Sequence, residues 1–314
     1  MDVHVLGCHV HVVSDDSRLM AVAAMAYAGL PGHRLLAEPP RVHLELRLSP
    51  EQHVTLGAEP PPVQMQSGAG FLCGVMDGGN YAVLHPAQRR ALIVASPDML
   101  AKPYHLRYEL IEFAVFTLAT RALGLVPLHG ACVGHEGRAA LVMGPSGAGK
   151  STLALHSLLR GLAFLAEDAV FVHPASKMVT GVSNYLHVTS DALRFVADEH
   201  ARAWIESSPV IRRRSGVEKY EADLRHAPGL LATSPMAMAC VVFASSQPAD
   251  HPGRLILPIP AHDIPSRLAA EQPYAASQPG WDAFVQEVCR LGAYELHRGG
   301  HPDDSVKALR ELLG

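Results

Sequence analysis

Residues 144–151 read Gly-Pro-Ser-Gly-Ala-Gly-Lys-Ser and fit the pattern G-x-x-x-x-G-K-[ST]. Each residue type has a use on a polyphosphate. Gly144, Gly147 and Gly149 carry no side chains, so successive backbone N–H groups can close around phosphate oxygens. Pro145, Ser146 and Ala148 complete the candidate nucleotide-binding loop, and Thr152 follows it. Lys150 brings a point charge to the β- and γ-phosphates. Ser151 offers a hydroxyl to Mg²⁺, an ion that keeps waters and takes few protein ligands. A nucleotide polyphosphate and Mg²⁺ are the expected ligands.

A second group of residues brackets this loop. Glu167-Asp168 interrupts an apolar stretch, between Phe164-Leu165-Ala166 and Ala169-Val170-Phe171-Val172. A buried carboxylate is costly unless it is paired or bound to metal. One helix and one strand after Lys150 would return the pair to the phosphate site, so Glu167, Asp168 and Ser151 are the candidate metal ligands. The plainer alternative is a turn between two strands with solvated acids. Ahead of the loop, Leu128-His129-Gly130-Ala131-Cys132-Val133 reads as a strand that turns at Gly134-His135-Glu136-Gly137 into the loop strand. That hairpin would put His129 near the phosphates. His129, Lys150, Glu167 and Asp168 are therefore the candidate catalytic set. Arg212, Arg213, Arg214 and Lys219 form a basic run that could clamp the γ-phosphate or an acidic peptide, although a charge run is usually a solvated face.

The elements that must position these groups are legible around them. Ala139 to Met143 reads as a buried strand, and Thr152 to Leu159 as a helix with Leu155, Leu158 and Leu159 on its apolar face and Gly161 as its stop. Further upstream, Val3-His4-Val5, His9 to Val12 and Val42 to Leu48 alternate as strands do. A helix from Ser17 to Ala28 is capped by Ser14 or Asp15. Tyr81 to Leu84 and Ala91 to Ala95 pair across a turn. A helix from about Pro103 to Leu123 ends at Gly124. The domain boundary falls there, giving an N-terminal mixed α/β domain over 1–123 and a P-loop domain over 124–314. Downstream, Ala239 to Phe243 and Leu255 to Leu257 read as strands, separated by a polar loop from Ser245 to Gly253. Trp281 to Leu291 and Ser305 to Leu313 read as helices.

Bulk properties exclude several classes. The chain of 314 residues is 48% hydrophobic and 18% charged, with a net charge of −4. No basic footprint for nucleic acid is present overall. The longest apolar region, Leu110 to Leu128, carries Glu112 and Arg121 and reads as a buried helix rather than a membrane span. The start of the chain has no basic, signal-like stretch, so a cytoplasmic location is expected. The five cysteines are widely spaced with no C-x-x-C, which fits free thiols.

The residues 128–133, the loop 144–151, and the run from Leu158-Leu159-Arg160-Gly161 through Ala166-Glu167-Asp168-Ala169-Val170 together resemble the HPr kinase/phosphorylase catalytic domain. They resemble more closely the small HPr-kinase-related proteins found with modified-peptide clusters. A looser similarity includes Tyr294-Glu295-Leu296 and Ala308 to Leu313, and Lys219 lies in a segment similar to a lysine segment of those kinases. The resemblance implies an α/β fold with a strand-rich phosphoenolpyruvate-carboxykinase-like core. It implies ATP-dependent phosphorylation of a serine hydroxyl. It places Glu167 in the general-base position and Asp168 in a Mg²⁺-linked one. The family usually has two aspartates there, so the division of roles between these two acids stays open. The acceptor implied is a ribosomal precursor peptide, such as a lasso-peptide precursor, or another small protein, and the relatives imply a homo-oligomer. A kinase for a small molecule such as free serine, and a non-catalytic ATP-binding regulatory module, are the alternatives.

Overall fold

The computed structural model describes residues 1–50, 59–251 and 253–314. The chain divides into two compact units, Met1–Leu123 and Gly124–Gly314. Both are mixed α/β and rich in strands. Among the described residues, no helix is long and apolar enough to cross a membrane.

The first unit is one seven-stranded sheet with helices on one face. In chain order its elements are β1 (Asp2–Val5), β2 (Cys8–Val13), α1 (Ser17–Tyr27), β3 (Arg41–Leu48), β4 (Gln64–Gly68), β5 (Phe71–Asp77), β6 (Asn80–His85), β7 (Arg90–Ala95), α2 (Pro97–Leu100), α3 (Pro103–His105) and α4 (Phe113–Leu123). The sheet order is β1-β2-β3-β7-β6-β5-β4. The central ladders β2–β3 and β3–β7 are parallel, and the outer ones are antiparallel. Strict alternation explains the single core. Val42, Leu44 and Leu46 are buried while Arg41, His43 and Arg47 are exposed. Helix α1 starts at Ser17 as expected, but its cap is Asp16 rather than Ser14 or Asp15: Asp16 accepts from the N–H groups of Arg18 and Leu19 at 2.8 and 3.3 Å. The helix expected over 103–123 is present, but its middle, Leu106–Glu112, is π-helical. The wider turn brings residues five apart together, and Arg107 Nη1 donates to Glu112 Oε1 at 3.0 Å inside the core.

The second unit continues with β8 (Val126–His129), β9 (Ala131–His135), β10 (Arg138–Met143), α5 (Lys150–Leu159), β11 (Ala163–Ala166), β12 (Ala169–His173), β13 (Met178–Gly181) and β14 (Tyr185–Val188). There follow α6 (Ser190–Leu193), α7 (Glu199–Glu206), β15 (Val210–Arg212), β16 (Glu218–Asp223), β17 (Met236–Pro248), β18 (Ile256–Pro258), α8 (Ile264–Glu271), α9 (Trp281–Leu291), β19 (Ala293–Arg298) and α10 (Pro302–Leu313). Strand β17 runs to Pro248, so the first part of the loop expected from Ser245 is strand paired with β19, and position 252 lies outside the described residues.

Strand β10 delivers the glycine loop. It is antiparallel to β9 on one side and parallel to β17 on the other. Both faces are covered, so its residues alternate between two cores rather than between core and water. Ala140 and Val142 join the cluster under α5 and α10, while Ala139, Leu141 and Met143 join Phe284 and Val288. The expected single strand over 128–133 is instead two, broken at Gly130. The pieces β8 and β9 face β12 and β11 as one long antiparallel ladder that skips at Glu167-Asp168. Gly130 N–H still donates to the Asp168 carbonyl at 3.2 Å across the break. Asp168 takes φ 64°, a left-handed conformation uncommon for a residue with a side chain. A break of this kind in a ladder re-aims side chains, and here it turns two acids out of the strand alternation.

Gly130 is required by close approach. A Cβ there would lie 2.5 Å from the Val142 carbonyl oxygen. Substitution Gly130→Ala is expected to destabilise the protein by about 1–3 kcal/mol through overpacking. Urea unfolding reads this as a lowered midpoint, and an unchanged midpoint would show that the break tolerates a side chain.

Candidate active site

The loop conformation follows from its glycines. Gly144 has φ 135°, and a Cβ on it would meet the Ala244 carbonyl oxygen of neighbouring β17 at 2.6 Å. Gly149 is the N-cap of α5, with no side chain to satisfy the helix's first turn. The first N–H groups of α5 are therefore available to an anion, at the positive end of the helix dipole. Lys150 folds back over the loop and donates to the carbonyls of Gly144 at 2.6 Å and Pro145 at 3.1 Å. Its burial lowers the ammonium pKa; Asp168, Glu271 and Glu167 oppose this, and Lys219 reinforces it.

The acid pair is not a solvated turn. The Glu167 side chain is only 2% exposed and both of its oxygens are engaged. Ser151 Oγ donates to Oε1 in a short hydrogen bond. The backbone N–H of His187 donates to Oε2 at 3.0 Å. Asp168 is more open, with 20% of its side chain exposed, and receives a short hydrogen bond from Arg213 Nη2. Burial of Asp168 favours its neutral form, yet Arg213, His187 and Lys219 outweigh this and hold its pKa below the usual carboxylate value.

His187 lies between carboxylates. Its Nδ1 is 3.3 Å from Glu167 Oε2 and 3.8 Å from Asp168 Oδ2, and its Nε2 is 3.4 Å from Glu221 Oε1. The two strands explain the contact: in the β14–β16 ladder, His187 stands directly opposite Glu221. Burial disfavours the imidazolium, but hydrogen bonds to Glu167 and Glu221 and the Glu167 charge raise the pKa above its ordinary value. Arg213 Nη2, 3.0 Å from the same Nδ1, opposes that rise.

His129 is held by its backbone. Gln272 accepts from its N–H and donates to its carbonyl, both at 2.8 Å. Its ring is exposed, with Nδ1 3.1 Å from the Asp168 carbonyl oxygen. The place beside the Glu167 carboxylate is held by His187. Of the basic run, Arg213 reaches the acid pair from the hairpin between β15 and β16, while Arg212 and Arg214 are exposed. Lys219, on β16, acts on Asp168 and Lys150 through its charge.

The structure thus brings Lys150, Ser151, Glu167, Asp168, Arg213 and Lys219 into one neighbourhood, with His129 at its edge. Sequence reasoning missed His187, Glu221 and Gln272. A histidine inside the apolar run Tyr185-Leu186-His187-Val188 was the available signal for the first. Gln272 sits 143 residues from the histidine it clamps and gave none. Glu167, Asp168 and His187 offer atoms that all lie within 4.8 Å of one another. The oxygen donors among them, together with Ser151 Oγ, form a hard set of the kind Mg²⁺ takes. No protein-family model matches the chain, and no curated protein matches it.

The His187 environment predicts a stability dependence with a definite sign. A histidine whose folded pKa is raised stabilises the protein fully below its unfolded pKa. That contribution disappears as pH rises through the folded value. Titration of the His187 ring by NMR is expected above 6.5, the ordinary value for the residue, and Glu221→Gln is expected to move it down. A midpoint at or below the ordinary value in the parent protein would contradict the arrangement.

Proposed function

We propose that the second unit is an ATP- and Mg²⁺-dependent kinase of HPr-kinase-like type that transfers the γ-phosphate to a serine hydroxyl of a peptide or small protein. One observation carries this reading: the glycine loop's own Ser151 is bonded to a buried glutamate whose neighbour, Asp168, is one-fifth exposed and paired with Arg213. The antiparallel β9 beside the loop strand also supports a phosphoenolpyruvate-carboxykinase-like core over a doubly wound one. A lasso-type precursor peptide is the acceptor favoured by resemblance.

The residues divide the work as follows. Phosphoryl transfer has a loose transition state, so positioning and charge stabilisation supply most of the catalysis. The loop N–H groups and the α5 N-terminus bind the phosphates, and Lys150 exchanges its carbonyl partners for phosphate oxygens. Ser151 and Glu167 would hold Mg²⁺, which when bound neutralises charge on the phosphate oxygens. Both Glu167 oxygens are already directed toward Ser151 and His187, which suits a metal-side role. Asp168 then takes the proton from the serine hydroxyl as its oxygen bonds to phosphorus and the bond to ADP breaks. This reverses the roles implied by resemblance. Arg213 must leave Asp168 for that step, and the γ-phosphate is its natural new partner.

The ion pair of Arg213 with Asp168 also supports a second reading, a regulatory module in which ATP binding frees Arg213 without transfer. Incubation with Mg²⁺-ATP and either candidate peptides or free serine separates the readings by intact mass. A gain of about 80 daltons on a peptide is expected, the net mass added by one phosphoryl group. A gain on free serine alone identifies a small-molecule kinase, and tight ATP binding with no transfer identifies the module. In a folded protein, Lys150→Ala is expected to lower the transfer rate about 10²–10³-fold. Asp168→Asn is expected to lower it by about 10²–10⁴ with nucleotide affinity retained.

A further inference from the structure

A cavity of about 410 Å³ opens on the glycine loop away from the acid pair. Its wall takes Gly147, Ala148 and Gly149 from the loop and Thr152 from α5, but not Lys150, Ser151, Glu167 or Asp168. That division has a direction. In a loop of this type, Lys and the hydroxyl residue serve the β- and γ-phosphates and the metal, while backbone N–H groups cradle the α- and β-phosphates. A triphosphate with its γ end at Lys150 and Asp168 has its α end toward the opposite side of the loop, and the cavity begins there. Resting on the nucleotide-binding part of the reading above, we infer that this cavity holds the nucleoside half of the nucleotide, with its base stacked at Phe195.

Size and chemistry both fit. The volume lies in the range of small-molecule sites, about 300–1,000 Å³. Leu153, Ala192, Ala244 and Leu296, all buried, supply an apolar lining. One wall is aromatic and cationic: the Arg194 guanidinium lies 4.6 Å over the Phe195 ring centroid, and the His301 ring meets Phe195 edge-on at 5.5 Å. A planar heteroaromatic base gains from such a surface by stacking, whatever its hydrogen-bonding edge. Polar groups also line it, among them Thr189, Asp191 and Ser305, which suits the hydroxyls of a ribose. Arg298, also on the wall, donates from Nη2 to the Gly147 carbonyl at 2.8 Å and ties the cavity to the loop. His301 is fixed in turn. Its ring packs edge-on against the buried His156 of α5 at 5.4 Å, and its Nδ1 accepts from Asp303 N–H at the start of α10. The aromatic wall is therefore braced by the same helix that presents its N-terminus to the phosphates.

Two ligands test the inference, ATP and inorganic tripolyphosphate, each titrated calorimetrically with Mg²⁺ into the full chain. The parent protein is expected to bind ATP more tightly than tripolyphosphate. Phe195→Ala, at a half-buried position, is expected to weaken ATP by at least about fivefold, the loss of one stacked base, and to leave tripolyphosphate within about twofold. Ser305→Trp, which fills the cavity from α10, is expected to act in the same sense without touching Phe195. Equal affinities for the two ligands in the parent, or ATP binding indifferent to both variants, overturns the nucleoside site while leaving the phosphate loop intact. Binding of neither ligand overturns the nucleotide reading and this inference with it.

Discussion

The buried Glu167 carboxylate is the constraint around which the second unit is arranged. A charge this far from water must be compensated, and single hydrogen bonds to a charged group are worth only about 1.5–3 kcal/mol each. The protein supplies three partners from two elements: the Ser151 hydroxyl at the start of α5, and the backbone N–H and ring of His187 on β14. Meeting that need ties the glycine loop, the bend between β11 and β12 and the small β14-β16-β15 sheet to one another. The side chains that answer the charge are the ones a phosphate and a metal would require.

The same economy appears at each cation. Lys150 rests on loop carbonyls and Arg213 rests on Asp168, so both cations are held by partners within the chain. A bound phosphate offers Lys150 and Arg213 charged oxygens in place of carbonyls or a shared carboxylate. On the proposed reading, binding would exchange partners rather than create order from nothing, which would keep the cost of reorganisation small. Release of Arg213 from Asp168 would also couple phosphate binding to exposure of a carboxylate.

Much of this was legible in the sequence, and the reasons are physical. The loop, its entering strand and its leaving helix are signalled locally: Gly144 to Ser151 sit between an apolar run and a Leu155, Leu158 and Leu159 stripe. The acid pair was visible because carboxylates are rare inside apolar strands. What the sequence hid is non-local. That Gly130 splits one strand into two depends on the Val142 carbonyl across the sheet. That a histidine reaches Glu167 required knowing that β14 packs against α5, so nothing in the spacing pointed to His187. Arg213 could not be told from Arg212 and Arg214, because a hairpin turn alone decides which of three adjacent arginines faces inward.

The central claim is that Glu167, through Ser151, makes this loop a metal–phosphate site. The Mg²⁺ dependence of ATP affinity, measured by titration calorimetry in the parent protein and in folded Glu167→Gln, tests it most directly. A marked gain in affinity with Mg²⁺ in the parent that largely vanishes in the variant is the predicted result. An equal gain in both proteins, or no Mg²⁺ effect in the parent, would contradict it.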